Sequence, residues 1–457
     1  MALIMTSPRL ITVILAAGQG TRMKSDLPKV LHRIAHRPMI EHVLAASAPL
    51  KPERQIVVIG PGMEGVAKAV APAETVIQKT PRGTGDAVKA AARVIEEFEG
   101  DVLVLYGDAP LVTSATLERL LAARAEGAAV AVLGMRPKDV TPYGRLVEAP
   151  DGRLIKIVES LDCTPDEAKI GLCNSGIMAI DGRHLSALLN ALGTGNRKGE
   201  YYLTDIIEIA HAQGLACRAV EAPDEELVGV NSRAELARAE SLLQTRLRHA
   251  AMASGVTLVA PETVFLSADT TIGRDSVVGP FVVFGPNVTV GERVEIPAFC
   301  HLVGATIGDG ASIGPFARLR PGADLGENVH IGNFVEVKNS RLEAGVKANH
   351  LTYLGDSKVG PGSNIGAGTI TCNYDGIEKF RTEIGAEVFV GSHATLVAPL
   401  AIGNGAFIAA GSVITADVPD DAMALGRARQ SNKTKLAAAW RARRRAEKSA
   451  KANQDKR

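Results

Sequence analysis

A chain of 457 residues is too long for one ordinary core and implies two or more domains. Hydrophobic residues make up 46% and suit large buried cores, whereas aromatics at 4% beside 46 glycines point to a backbone of small repeated turns. The net charge of +1 hides an asymmetry: from Arg427 onward twelve Lys and Arg face two acidic residues, so the preceding chain carries 39 basic against 48 acidic groups, a net of −9.

In chain order, the apolar run starting at Leu10 is short and ends in a Gly-rich turn, so it reads as a first β-strand rather than a targeting segment. Further strand-like runs at 55–59, 102–105 and 129–133 alternate with helical stretches at 38–48, 85–98 and 114–126. That alternation predicts an α/β, Rossmann-like domain over residues 1–231, with a mostly parallel sheet whose ligands bind beyond the strand carboxyl ends. Ser232 and Glu235 form a capping box opening a Gly-free and Pro-free segment, which predicts a linker helix over 232–254.

From Ile272 the chain becomes periodic. Apolar residues recur at 272, 278, 284, 290, 296 and 302, again from 307 to 337 in steps of six, and again from 384 to 414. An α-helix cannot place every sixth residue on one stripe, but a parallel β-helix with short flat faces can. This assigns residues 255–426 to a β-helix and leaves 427–457 as a basic tail. The tail reads as a solvated, partly helical segment in preference to a nucleic-acid arm. The five cysteines (163, 173, 217, 300 and 372) form no close pair of zinc-site spacing, and a reduced, cytoplasmic setting accounts for them most simply. No apolar stretch approaches the length that spans a bilayer, so no membrane insertion is expected.

Chemistry concentrates in a few places. Leu15-Ala16-Ala17-Gly18-Gln19-Gly20-Thr21-Arg22-Met23 follows the first strand, where small residues let backbone N–H groups approach phosphates. Met23 stands where a Walker loop or a dinucleotide fingerprint needs Gly, so neither reading holds. Lys29 adds a second basic group beyond Arg22. Tyr106-Gly107-Asp108 ends a buried strand, and a carboxylate there suits Mg²⁺, which takes few protein ligands. In the repeats, Lys347-Ala348-Asn349-His350-Leu351-Thr352-Tyr353 packs unusual polar density into one coil. A neutral imidazole at His350 is suited to accept a proton from an amine attacking a thioester. The stretch from Thr371 to Lys379 is too polar and too long for one rung and predicts a loop. Cys372 within it is read as a packing or loop residue rather than an acyl-carrying nucleophile.

Together these segments resemble the bacterial bifunctional N-acetylglucosamine-1-phosphate uridylyltransferase/glucosamine-1-phosphate N-acetyltransferase family, over nearly the whole chain. The resemblance implies a left-handed β-helix, a homotrimer with active sites between subunits, Mg²⁺ as cofactor, and UTP, acetyl-CoA and glucosamine-1-phosphate as substrates, with no nucleic-acid partner. It implies that Leu15, Ala16, Ala17 and Gly18 line the nucleotide, that Arg22 and Lys29 neutralise phosphates, and that Gln78, Gly83 and Thr84 read uracil. Tyr106 and Gly107 flank Asp108, which would share Mg²⁺ with Asn231. Gly144, Glu159, Asn174 and Thr204 would hold the sugar, with Gly171-Leu172-Cys173 departing from the family's pattern. In the second domain it implies His350 as general base, Arg320 and Lys338 clamping the sugar phosphate, and Tyr353 and Asn364 holding the sugar. Ala367, Asn373, Tyr374, Lys379, Ser392, Ala410 and Arg427 would bind acetyl-CoA. The rival readings are a single-function nucleotidyltransferase with a β-helix used only for assembly, and a non-catalytic scaffold.

Overall fold

The computed structural model describes residues 9–95 and 98–454. The chain divides into two compact units, Met1–Thr270 with Val283–Asn287, and Thr271–Val282 with Val288–Arg457.

The first unit is built on a mixed sheet. Its strands are β1 (Leu10–Leu15), β2 (Arg54–Ile59), β3 (Glu74–Ile77), β4 (Asp101–Tyr106), β5 (Val130–Met135), β6 (Arg145–Glu148), β7 (Leu154–Val158), β8 (Cys173–Asp181) and β9 (Cys217–Glu221). The spatial order is β9-β5-β8-β4-β1-β2-β3, and all neighbours are parallel except β8, which runs against β4 and β5. The hairpin β6–β7 joins β8 at one point. Successive side chains of a strand point to opposite faces, and here both faces are covered, which is why the strands read as continuous apolar runs. Ile11, Val13, Val102 and Val104 pack with the helices at Thr84–Ile95, Gly182–Asn190 and Ile206–Ala212. Ile14, Leu103 and Leu105 pack on the other side, with the helices at Met39–Ser47, Glu64–Val70 and Ser114–Ala125. The mostly parallel sheet expected from the alternation is therefore observed. The predicted helix over 85–98 is seen as far as Ile95; residues 96 and 97 lie outside the described residues.

The predicted linker helix is observed as Arg233–Ala253, with Ser232 accepting from the Glu235 N–H. Glu235 returns the contact one residue further out, its Oε2 accepting from the Asn231 N–H at 2.8 Å. Ala239 and Leu243 of this helix pack with Ile34, Met39, Leu111 and Val230. Gln244 is 2% exposed, and its amide answers both the N–H and the carbonyl of Leu266, as a strand would.

The second unit is a three-sided parallel β-helix. Its strands are two to four residues long, and most pair with the strand 17 or 18 residues later, as His301 with Arg318 and Ile313 with Ile331. The apolar stripe points inward: Val278, Leu302, Ile313, Leu319, Val337, Leu354, Val390 and Leu396 are each fully buried. The expected loop is shorter than the sequence suggests. Thr371 sits in the strand Ile370–Cys372 and continues the buried stripe, its hydroxyl bonded to main-chain groups of Tyr353 and Gly355. The insertion runs from Asn373 and lengthens the ladder step to 25 residues, as between Lys358 and Glu383.

Each corner between faces needs one left-handed residue. Asp275, Phe281, Arg293 and Phe299 take it with φ of 61°, 57°, 55° and 64°, spaced by six residues or multiples of it. A bulky residue there costs about 1 kcal/mol. Along one corner, stacking offsets this: the rings of Phe281, Phe299, Phe316 and Phe334 follow one another with centroids 5.0–5.2 Å apart. The basic tail carries a helix at Leu436–Gln454 whose described side chains are exposed. No helix among the described residues is long and apolar enough to cross a membrane.

Candidate active sites

β1 and β4 are paired in register, Leu15 beside Tyr106, so the Gly-rich turn and the Tyr106-Gly107-Asp108 turn leave adjacent strand ends. Between them opens a cleft of about 420 Å³. It gathers Leu15, Ala16, Ala17, Gly18, Lys29, Gln78, Gly83, Thr84, Tyr106, Asp108 and Glu159 from six separate segments of sequence. Lys29 is the hub of its charged end. Its ammonium pairs with Asp108 and donates to Asn231 Oδ1 at 2.9 Å, bringing together two oxygens 123 residues apart in sequence. Gly20 permits this: a Cβ there would lie 2.5 Å from Lys29 Cβ. Two oxygen donors already converging on a cation fit a Mg²⁺ ion that completes its shell with water and phosphate.

At the other end Gln78 is buried, and its Nε2 is committed to the Gly83 carbonyl at 3.1 Å and Asp86 at 2.9 Å. Its Oε1 has no hydrogen-bond partner among the described residues, and the residue lines the cleft. Gly83, at φ 107°, has no room for a side chain, since a Cβ would meet the Tyr201 carbonyl at 2.5 Å. Burial pushes the Glu159 carboxyl above its usual range, while a hydrogen bond from Thr204 Oγ1 at 3.1 Å partly opposes the shift. Burial, then the Glu159 charge, pushes the neighbouring Asp205 up to about 6.

Other predicted residues are not among those that line the cleft. Asn174 and Gly144 meet through their main chains, with Asn174 N–H donating to the Gly144 carbonyl at 2.8 Å. Gly107 seats the turn, its N–H donating to the Leu15 carbonyl at 2.9 Å. Arg22 lies exposed on the short turn Thr21–Met23, outside the lining, and makes no ion pair among the described residues. Leu172 and Cys173, where the family's pattern is broken, are buried core residues. Sequence reasoning missed Lys198, Glu200 and Tyr202, which also line the cleft. Two of them, Glu200 and Tyr202, lie just before Thr204 in sequence, which was the available clue.

In the β-helix, His350 ends the strand Lys347–His350 and is exposed. It is in register with Asn333 one coil earlier, and His350 Nδ1 lies 2.9 Å from Asn333 Oδ1. An amide oxygen only accepts, so in the neutral ring Nδ1 carries the proton and Nε2 the lone pair. Main-chain bonds extend this column down one corner: Gly368 N–H donates to the His350 carbonyl, His393 N–H to the Ala367 carbonyl, and Gly411 N–H to the Ser392 carbonyl. Asn333, His350, Ala367, Ser392 and Ala410 thus follow one another in successive coils.

On the adjoining face, Arg320 pairs with Glu336 at 2.8 Å, and Lys338 with Asp356 at 3.5 Å. Tyr353 lies in register with Glu336. Burial alone would raise the Asp356 carboxyl, but hydrogen bonds from Asn339 and Asn373 and the Lys338 charge together hold it below its usual range. Asn373 is consequently not a free loop residue: it is 7% exposed, with its amide tied to Asp356. Tyr374 and Lys379 pair across the protruding hairpin, and the Tyr374 hydroxyl folds back onto the Gly376 carbonyl at 2.6 Å. Asn364 is separated from His350, lying at the Lys347 end of the strand ladder. Arg427 is exposed beyond the last strand, Met423–Ala424. Cys372 pairs with Val397 through its strand.

Comparisons with known proteins agree with this division. The MobA-like NTP transferase domain family matches residues 12–169, and the bacterial transferase hexapeptide family (six repeats) matches 269–304 and 304–339. The first unit is thus an NTP transferase domain, and the second a left-handed β-helix of hexapeptide repeats. The bifunctional protein GlmU of Rhodospirillum rubrum is 58% identical over 94% of this chain and 97% of its own length. That of Azorhizobium caulinodans is 57% identical over 96% and 98%, and that of Paramagnetospirillum magneticum 55% identical over 98% and 100%. With a nucleotide-sized cleft in one unit and a histidine column in the other, over essentially the full length of these relatives, the chain belongs to the GlmU family of bifunctional proteins.

Proposed function

We propose that this chain makes UDP-N-acetylglucosamine in two steps, the β-helix over 255–426 acetylating glucosamine-1-phosphate and the domain over 1–231 then transferring UMP from UTP. The observation that carries the reading is that one chain holds both an oxygen-and-ammonium cluster at a Gly-rich cleft and a histidine with an open Nε2 on a hexapeptide corner.

In the first step the sugar amine attacks the acetyl-CoA thioester, His350 Nε2 takes the amine proton, and the CoA thiolate leaves. Asn333 holds the imidazole in the tautomer this needs. Arg320 and Lys338 supply positive charge for the sugar phosphate, and the column Ala367, Ser392 and Ala410 offers small residues along which the thioester arm lies. Asn364, Arg427 and the hairpin at Tyr374 are apart from His350 in the single chain. That separation supports a homotrimer in which neighbouring subunits complete each site.

In the second step a phosphate oxygen of N-acetylglucosamine-1-phosphate attacks the α-phosphorus of UTP and pyrophosphate departs. The attacking oxygen is already anionic, so the protein contributes positioning and charge. Gln78 Oε1 accepts from uracil N3–H, which a cytosine ring lacks. Glu159 and the Asn174–Gly144 pair orient the sugar, Lys29 faces the phosphates, and Arg22 adds positive charge from its exposed position on the turn Thr21–Met23. Asp108 and Asn231 would hold Mg²⁺, which neutralises phosphate charge when bound. Five free cysteines suit a reducing, cytoplasmic setting.

The test is a paired assay of the full-length protein. CoA release is followed with glucosamine-1-phosphate, and pyrophosphate release with each of the four nucleoside triphosphates and N-acetylglucosamine-1-phosphate. Both activities, with UTP preferred, are expected; absence of CoA release, or equal use of all four triphosphates, overturns the reading. For the orienting amide, Asn333→Ala is expected to lower acetyl-transfer kcat about tenfold, equivalent to about 1.4 kcal/mol, with uridylyl transfer unchanged. An unaltered acetyl-transfer kcat would show that His350 needs no such partner.

A further inference from the structure

Arg233 opens the helix that follows Asn231. Its Nε donates to the Met23 carbonyl at 3.2 Å, and its Nη1 lies 3.2 Å from His32 Nδ1. Met23 ends the Gly-rich turn. His32 stands three residues after Lys29 and is buried, at 6% exposure. Arg233 is itself two residues from Asn231, which accepts from Lys29. From the segment that carries Asn231, one guanidinium therefore reaches both the end of the Gly-rich turn and the segment that carries Lys29, about 200 residues away in sequence.

A guanidinium only donates, so His32 must present a lone pair at Nδ1 and be neutral. Burial, reinforced by the Arg233 charge, holds its pKa below the usual histidine range. Arg233 forms no ion pair with a carboxylate among the described residues, so charge neutralisation does not explain its place. Nor does the fold depend on it. Met23 and Val30 are anchored at 1% and 3% exposure, and the helix keeps its Ser232 cap and its Ala239 and Leu243 contacts.

We propose that Arg233 and His32 are positioning residues for nucleotidyl transfer, together holding the Gly-rich turn, the Lys29 segment and Asn231 in one arrangement around the nucleotide. The inference rests on reading this cleft as the UTP site. It implies that loosening the clamp disperses groups that must converge on one triphosphate, and small misplacements of such groups are costly to rate.

The full-length protein is assayed for pyrophosphate release from UTP, with acetyl transfer in the same chain as the control for folding. Arg233→Met is expected to lower uridylyl-transfer kcat about tenfold and to raise the Mg²⁺ concentration needed for half-maximal rate, with acetyl transfer and the thermal midpoint unchanged. His32→Ala should behave alike, and His32→Asn should recover most of that loss, because an amide oxygen can replace Nδ1 as acceptor. The double variant Arg233→Met/His32→Ala should be no worse than the more damaging single one, since both break the same clamp. Wild-type kcat and Mg²⁺ dependence in Arg233→Met, or His32→Asn no better than His32→Ala, would overturn the inference. So would parallel loss of acetyl transfer, which marks a general fold defect. A wild-type protein that releases no pyrophosphate from UTP would remove the underlying reading as well, a result distinguishable from these.

Discussion

Replacing His350 by Ala is expected to lower acetyl-transfer kcat by about 100- to 10,000-fold, the usual worth of a general base, while uridylyl transfer stays within twofold of wild type. The amine must shed a proton as the thioester carbonyl is attacked, and Nε2 is the group the Asn333 contact leaves ready to take it. The fold should be indifferent to the change, because His350 is exposed at a strand end and the inward-pointing neighbour, Ala348, carries the packing. Stopped-time measurement of CoA release at saturating substrates checks this directly. A residual kcat above about one tenth of wild type would mean that solvent or another group accepts the proton. His350→Gln separates the alternatives further: it keeps a polar side chain but no basic nitrogen, and should be as inactive as the Ala variant.

The second large effect is expected at Asp108. Asp108→Asn should lower pyrophosphate release at least about 100-fold and leave CoA release intact. The side chain has two tasks in the structure: it pairs with the Lys29 ammonium, and it is one of two oxygens that would hold Mg²⁺. The amide keeps the shape but not the charge, so Lys29 is left with neutral acceptors only. Because the pair is mostly buried, the lysine loses some stabilisation too, and a lower thermal midpoint should accompany the kinetic loss. Asn231→Ala, which removes a neutral ligand, is expected to cost less than Asp108→Asn. Equal losses would indicate that geometry rather than charge dominates. Retention of more than a tenth of wild-type activity by Asp108→Asn would place the metal elsewhere.

Both large effects concern residues legible in the sequence, for a reason that differs between the two units. In the β-helix, burial enforces a six-residue period, so the inward stripe is visible wherever its members are apolar. The reading slipped at Thr371, a polar residue that stays inside because main-chain groups of Tyr353 and Gly355 satisfy its hydroxyl. Asn333 was invisible as the partner of His350 because coils are 17 or 18 residues long, and the count alone does not say which residue stacks on which. The corner positions have no compositional mark, being filled by Phe, Asp, Arg, Asn, Leu or Gly alike. In the α/β unit, turns after strands exposed Lys29 and Asp108. The network behind them depends on long-range contacts such as Arg233 to Met23, which no local pattern encodes. Arg22 is exposed and is not among the residues that line the cleft, so its type and spacing alone suggest a phosphate contact.

The ladder of coils also acts as a ruler. Adjacent strands lie about 4.8 Å apart, so the four steps from Asn333 through His350, Ala367 and Ser392 to Ala410 mark out about 19 Å along one edge. Residues that share a straight groove are therefore written into the chain at intervals of 17, 17, 25 and 18. A short deletion would not shorten this groove but rotate every later residue onto a different side of the prism. Within the ladder, only removal or gain of a complete coil conserves the facing, and it would shift everything beyond by one rung. The hairpin beginning at Asn373 stands outside that arithmetic: its extra residues leave the ladder and the chain returns to the same rung. Length change along the ladder itself is quantised, and the spacing between His350 and Ala410 is set in whole turns.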